Sequence, residues 1–221
     1  MRKLMVLPLA GLLALGVVGP VSAAPNVSNT SGGGESIYGE WAAGSTWGYV
    51  SVGEESGYGG FAEIYQESGQ WVECDTGAPA AGKETPTTQD TTGGDYGFVG
   101  TRTWGYSEGG VTVDLSRRLD SGHATGSIEL STTTVDECAG VYGDEAVSEV
   151  VTLDVSVSAT GPLVSFRDRG SYKVPSQFNG HQTYRGKERA ASGTVAAGPS
   201  IDATFSNAGM TVVTWSDHSN G

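Results

Sequence analysis

The chain has 221 residues, 35 of them Gly and only 3 Met, and its 25 Asp and Glu outweigh 12 Lys and Arg for a formal net charge of −13. So acidic a chain repels phosphate backbones, which excludes a general nucleic-acid binder. Ser, Thr and Val recur while Leu and Lys are sparse, the opposite of a helical composition.

Arg2 and Lys3 precede an apolar run from Leu4 to Val18 that ends in Gly19-Pro20-Val21-Ser22-Ala23-Ala24. The run is too short to span a bilayer, Pro20 stops it, and Val21-x-Ala23 has the small-residue spacing of a cleavage site. Residues 1–23 therefore read as a secretory signal peptide, and the mature chain is expected to be secreted and extracellular. Losing Arg2 and Lys3 takes the charge from −13 to −15 and leaves ten of the 12 basic residues. No Cys stands at the cleavage site to carry a lipid and Thr211 to Gly221 holds no apolar span, so no membrane anchor is expected. Residues 24–36, with Gly32-Gly33-Gly34 among Ser and Asn, read as a flexible leader. Residues 37–221 then form a single domain, long enough for a sizeable core.

Along that domain, short segments alternate apolar and polar with period two. Val111, Val113 and Leu115 oppose Thr112 and Asp114, and Ala124, Gly126, Ile128 and Leu130 oppose Thr125, Ser127 and Glu129. These two segments predict an antiparallel hairpin around Asp120-Ser121-Gly122. The alternation returns in Val151, Leu153, Val155 and Val157, in Ala191, Gly193, Val195 and Ala197, and in Ile201, Ala203 and Phe205. Gly109-Gly110, Gly161-Pro162, Asn179-Gly180 and Gly198-Pro199 punctuate them. The pattern predicts an all-β antiparallel sandwich or barrel in which each strand has one buried and one wet face. Gly60, Gly126 and Gly193 recur in similar strands and suggest a weak internal repeat. Thr76 to Asp95 and Gly170 to Thr183 read as the longest irregular segments.

Cys74 and Cys138 are the only two cysteines. In an exported chain they predict one structural disulfide, with no second pairing to consider. The bond would gather Glu73, Asp75, Asp136 and Glu137, with Asp144 and Glu145 nearby. Because no D-x-D-x-D-G spacing accompanies these carboxylates, no metal site is assigned.

Catalytic signatures are sparse. His123, His181 and His218 are scattered without zinc-ligand spacing, no serine nucleophile is assigned, and Glu63 and Glu129 fall on the solvent face of their strands. The most unusual segment is Phe166 to Arg189, which holds Arg167, Arg169, Lys173, Arg185, Lys187 and Arg189 among aromatic and amide side chains. Cations attract carboxylate or sulfate, amides donate hydrogen bonds and aromatic faces stack on sugar rings, so the ligand-binding set is read as Tyr172, Lys173, Gln177, Asn179, His181, Tyr184 and Arg185 on a loop. Trp41, Trp47, Trp71, Trp104 and Trp215 are read mainly as core, and the paired Trp47-Gly48-Tyr49 and Trp104-Gly105-Tyr106 fit a packing position and a ligand surface equally. The expectation is a secreted, non-catalytic module binding an extracellular polysaccharide or other cell-envelope polymer, with no cofactor. A secreted hydrolase using an unidentified carboxylate pair, and a module that binds or inhibits a protein partner, are the alternatives.

Overall fold

The computed structural model describes residues 27–74, 96–143, 147–174 and 178–220, so the segment read as a signal peptide and the Thr76 to Asp95 segment lie outside the described residues. Twelve strands and no helix are found among them. In chain order they are β1 (Val27–Ala43), β2 (Thr46–Glu55), β3 (Gly59–Glu73), β4 (Tyr96–Glu108), β5 (Val111–Leu115) and β6 (Ser121–Asp136). There follow β7 (Val141–Tyr142), β8 (Val147–Ala159), β9 (Val164–Val174), β10 (Phe178–Ala197), β11 (Ile201–Thr204) and β12 (Asn207–Asn220).

Every pairing is antiparallel, and the pairings close a ring. The order β10-β12-β1-β2-β3-β4-β6 is completed by β8, which pairs with both β6 and β10. Of the two architectures expected, the chain therefore adopts a closed barrel, which leaves its ring strands no free edge. β5 and β7 lie beside β6, while β9 and β11 lie beside β10. The predicted 111–115 hairpin is present, with Leu115 opposite Gly122 and Val111 opposite Gly126.

Alternation decides which face looks inward. Ile37, Trp41, Val50, Val52, Ala62, Ile64, Ile128, Leu130, Leu153, Val155, Val195 and Met210 are buried in one continuous core. Glu63, Glu129, Asp154 and Thr194 alternate with them and are exposed. An apolar interior with a charged exterior is the reverse of a lipid-facing barrel. Large residues fill the interior by lying over glycines on neighbouring strands. A Cβ added at Gly48 would stand 2.4 Å from the Trp41 ring, one at Gly39 2.4 Å from Phe205, and one at Gly105 2.7 Å from Leu130.

The glycine echo has a local cause. A Cβ would meet the Val111 carbonyl oxygen at 1.7 Å from Gly60, the Gly110 oxygen at 2.2 Å from Gly126 and the Ser156 oxygen at 1.9 Å from Gly193. Each glycine thus admits the backbone of a neighbouring strand. Gly126 and Gly193 also sit where β6 and β10 exchange one edge partner for another, β5 for β4 and β12 for β11.

Two expectations are corrected. The stretch read as a flexible leader is, from Val27 onward, the first half of β1, paired to β12 from Val27 opposite Asn220 to Glu40 opposite Asn207. The described sheet thus already includes Val27, ten residues before the expected boundary at residue 37. Its glycines serve contact: Trp215 packs where a side chain at Gly32 would stand, 2.7 Å from the added Cβ. Of the Gly170 to Thr183 segment, residues 170–174 and 178–183 are likewise strand and not loop, because β9 and β10 pair from Val164 opposite Glu188 to Val174 opposite Phe178.

The Cys74–Cys138 disulfide is formed, with 5.1 Å between the Cα atoms. It joins the end of β3 to the turn after β6, and Gly97 of the intervening β4 lies beneath both sulfurs, 2.9 Å from an added Cβ.

Candidate functional site

The Phe166 to Arg189 basic residues are sorted by strand parity. Residues directly opposite one another in a sheet share a face. Arg167 lies opposite Arg185, Arg169 opposite Thr183 and Ser165 opposite Lys187. Across β10 and β12, Arg185 faces Thr214, Thr183 faces Ser216, and His181 faces His218. On that same parity Arg189 faces Met210, which faces the core residue Ile37. Arg167, Arg169, Arg185 and Lys187 therefore lie on the prolongation of the barrel's inner face, beyond the point where the ring is filled by side chains. A shallow depression lined by Thr183, Arg185, Thr214, Trp215, Ser216 and His218 adjoins these residues.

Parity divides the expected ligand set. His181 and Arg185 share the basic face, whereas Tyr184 lies opposite Asp168 and Trp215 on the other side. Tyr172 and Lys173 stand on β9 opposite Gly180 and Asn179, and the side chains of Tyr172, Lys173 and Asn179, with the whole of Gln177, lie outside the described residues. Arg189 is occupied structurally: its Nε donates to the Gly161 carbonyl at 2.7 Å and it pairs with Asp120.

No ion pair among the described residues involves Arg167, Arg169, Arg185 or Lys187. Slight desolvation, then the positive charges of Arg169 and Arg185, hold the Arg167 guanidinium below its ordinary pKa. Cations on an edge strand guard it against pairing with another chain, and β9 has such an edge. That explanation stops at β9, because Arg185 and Lys187 belong to β10, which is paired on both sides. Like charges directly opposed across a sheet cost stability, so the Arg167 and Arg185 pair is retained against a local penalty.

Elsewhere the expected chemistry is absorbed by structure. Glu137 accepts from Arg102 at 3.0 Å and from the Phe98 backbone N–H at 2.9 Å, and Asp136 accepts from the Ala139 N–H. Asp75, Asp144 and Glu145 lie outside the described residues, and no group of metal-ligating side chains occurs among the described ones. Contrary to the expectation that no G-x-S-x-G occurs, Gly105-Tyr106-Ser107-Glu108-Gly109 has the spelling of a nucleophile elbow. An elbow needs a strand followed by a helix, and here β4 turns at Gly109, φ 75°, directly into β5.

The reading of the tryptophans as core is corrected. Trp41 is buried at 2% exposure, but Trp47, Trp71 and Trp104 are 43%, 62% and 41% exposed. The signal was present in the repeated Trp-Gly-Tyr: the glycine points inward under Trp41 or Leu130, which turns both flanking aromatics outward.

The fold defines the chain as a closed antiparallel barrel with an apolar interior, a polar exterior and a basic sheet prolonged beyond one end of the ring. No known family profile matches it, and comparison with curated proteins and with solved structures finds no similar chain.

Proposed function

We propose that this is an exported, non-catalytic binding module that takes up an extracellular carbohydrate or cell-envelope polymer bearing anionic groups. The observation that carries this reading is the row of cations Arg167, Arg169, Arg185 and Lys187 on one sheet face, without carboxylate partners among the described ion pairs, in a chain of net charge −13. Guanidinium groups bind carboxylate and phosphate through paired N–H donors, and the hydroxyls of Thr183, Thr214 and Ser216 beside them suit the hydroxyl groups of a sugar polymer. Residues two apart on a strand are separated by about 6.8 Å, so Arg167 with Arg169, and Arg185 with Lys187, offer a periodic row to a periodic ligand.

Titrating the mature protein with polygalacturonate and with uncharged dextran tests the reading. Binding to the polyanion that weakens steeply from low to physiological salt is expected. No binding to polygalacturonate, or binding to it that is indifferent to salt, would remove the basic face from the account.

A further inference from the structure

The outer face of β1 to β4 carries a second set of residues that the basic face does not involve. Three rows cross it in register. The first runs Tyr38, Ser51, Glu63, Tyr106 and Glu129; the second Glu40, Tyr49, Tyr65, Trp104 and Ser131; the third Ala42, Trp47, Glu67, Arg102 and Thr133. Tyr38 and Tyr49, and Tyr49 and Tyr65, are stacked with centroids 6.4 and 5.9 Å apart, and Trp47 lies 5.9 Å from Tyr49 and 6.0 Å from Tyr65.

Tyrosine hydroxyls and glutamates are coupled across this face. Tyr49 donates to Glu63 at 2.6 Å, Tyr65 to Glu67 at 2.6 Å and Tyr106 to Glu108 at 2.9 Å, and Tyr38 donates to Glu40. These bonds fix the rings and leave each carboxylate with lone pairs still able to accept from a ligand. Partial burial, followed by the bonds to Glu63 and Glu67, pushes Tyr49 and Tyr65 up to about 12, so both phenols remain donors at any physiological pH.

Cross-strand aromatic contact stabilises a sheet and accounts for Tyr38, Tyr49, Tyr65 and Trp47. It does not account for Trp104 and Tyr106, which make no ring contact among the described pairs and remain 41% and 57% exposed. An exposed indole and phenol two residues apart on one face of a charged barrel exterior point to a ligand.

We infer that the outer face of β1 to β4 is a binding platform for an uncharged polysaccharide, with Trp47, Trp104 and Tyr106 stacking on sugar rings and Glu63 and Glu129 accepting from sugar hydroxyls. Charge selects this occupant. Glu40, Glu63, Glu67, Glu108 and Glu129 crowd the face, while its one cation among the described residues, Arg102, is held by Glu67 and Glu137 at 2.8 and 3.0 Å. An anionic glycan is repelled, as is the same face of a second copy, which would set carboxylates against carboxylates. This platform is independent of the basic face and can fail or succeed without it.

The test uses the full mature chain in affinity electrophoresis against four neutral polysaccharides: a mixed-linkage β-glucan, a xylan, a mannan and dextran. Retardation by at least one is expected, insensitive to salt, unchanged in Arg167→Gln/Arg185→Gln, and weakened about tenfold by Trp104→Ala. Because Trp104 is exposed, its removal is expected to leave the melting temperature within a few degrees, and Tyr106→Ala provides a second probe of the same surface. Retardation by none of the four polymers would overturn the platform. So would binding that Trp104→Ala and Tyr106→Ala leave intact, or light scattering showing that the face instead joins two copies of the chain.

Discussion

Trp41 occupies the space that a side chain at Gly48 would need, its ring lying 2.4 Å from the position of an added Cβ. The same Cβ would stand 2.5 Å from the Tyr65 backbone oxygen, so the neighbour cannot yield by rotating alone. Gly48→Ala should therefore cost about 1–3 kcal/mol through overpacking, read as a lower denaturant midpoint at unchanged slope. Gly170→Ala, with nothing within 4 Å of the added Cβ, is the control and should shift stability by less than about 0.5 kcal/mol.

The disulfide closes a chain segment of 64 residues across β4. In the loop-entropy account such a closure contributes about 4 kcal/mol by restricting the unfolded chain. The double substitution Cys74→Ala/Cys138→Ala should lower stability by roughly that amount, and wild type under reducing conditions should match it in chemical denaturation. Far-ultraviolet circular dichroism of the folded double variant should stay that of a β protein, because the core residues come from other parts of the strands.

Alkali should destabilise the fold through its tyrosines. Tyr49 and Tyr65 hold their protons more tightly folded, with pKa values of about 12, than unfolded, near the ordinary value of 10. The folded state then binds more protons between those limits, so their contribution is complete below pH 10 and is lost as pH rises toward 12. Phenolate absorbance should show these groups titrating late, and denaturant stability should fall over the same interval. Phenols that all titrate together near pH 10 in the folded protein would contradict the Tyr–Glu bonding.

The sequence was legible where one face is apolar. The β5–β6 hairpin and the inward sets of β8 and the second half of β10 follow from strict alternation, since a one-residue slip would expose Ile128, Leu130 or Val155. Where the sheet leaves the barrel that signal weakens: Val164, Phe166 and Tyr172 of β9 alternate with Ser165, Arg167, Arg169 and Lys173, but Asp168 and Gly170 interrupt the apolar series, and the first half of β10 offers only Phe178 and Tyr184 among glycines and polar residues. β1 was hidden by Gly32, whose lack of a side chain resembles linker composition but here receives Trp215. Closure itself depends on β10 pairing with both β12 and β8, contacts far apart in the chain, and no local pattern encodes it. Among the site residues, the basic segment was visible as composition, yet the separation of Tyr184 from Arg185 required the register.

Opposed like charges make the basic face separable from simple structural support. Removing Arg167 relieves repulsion toward Arg185, so Arg167→Gln should raise stability slightly at low salt, with the gain shrinking as salt is added. A structural role for the pair predicts the opposite sign.

The most direct measurement of the central claim is the affinity of Arg167→Gln/Arg185→Gln for polygalacturonate beside that of wild type at low salt, with thermal stability read on the same samples. The account predicts at least a tenfold loss of affinity in a variant as stable as wild type or more so. Undiminished affinity in a folded double variant would contradict it.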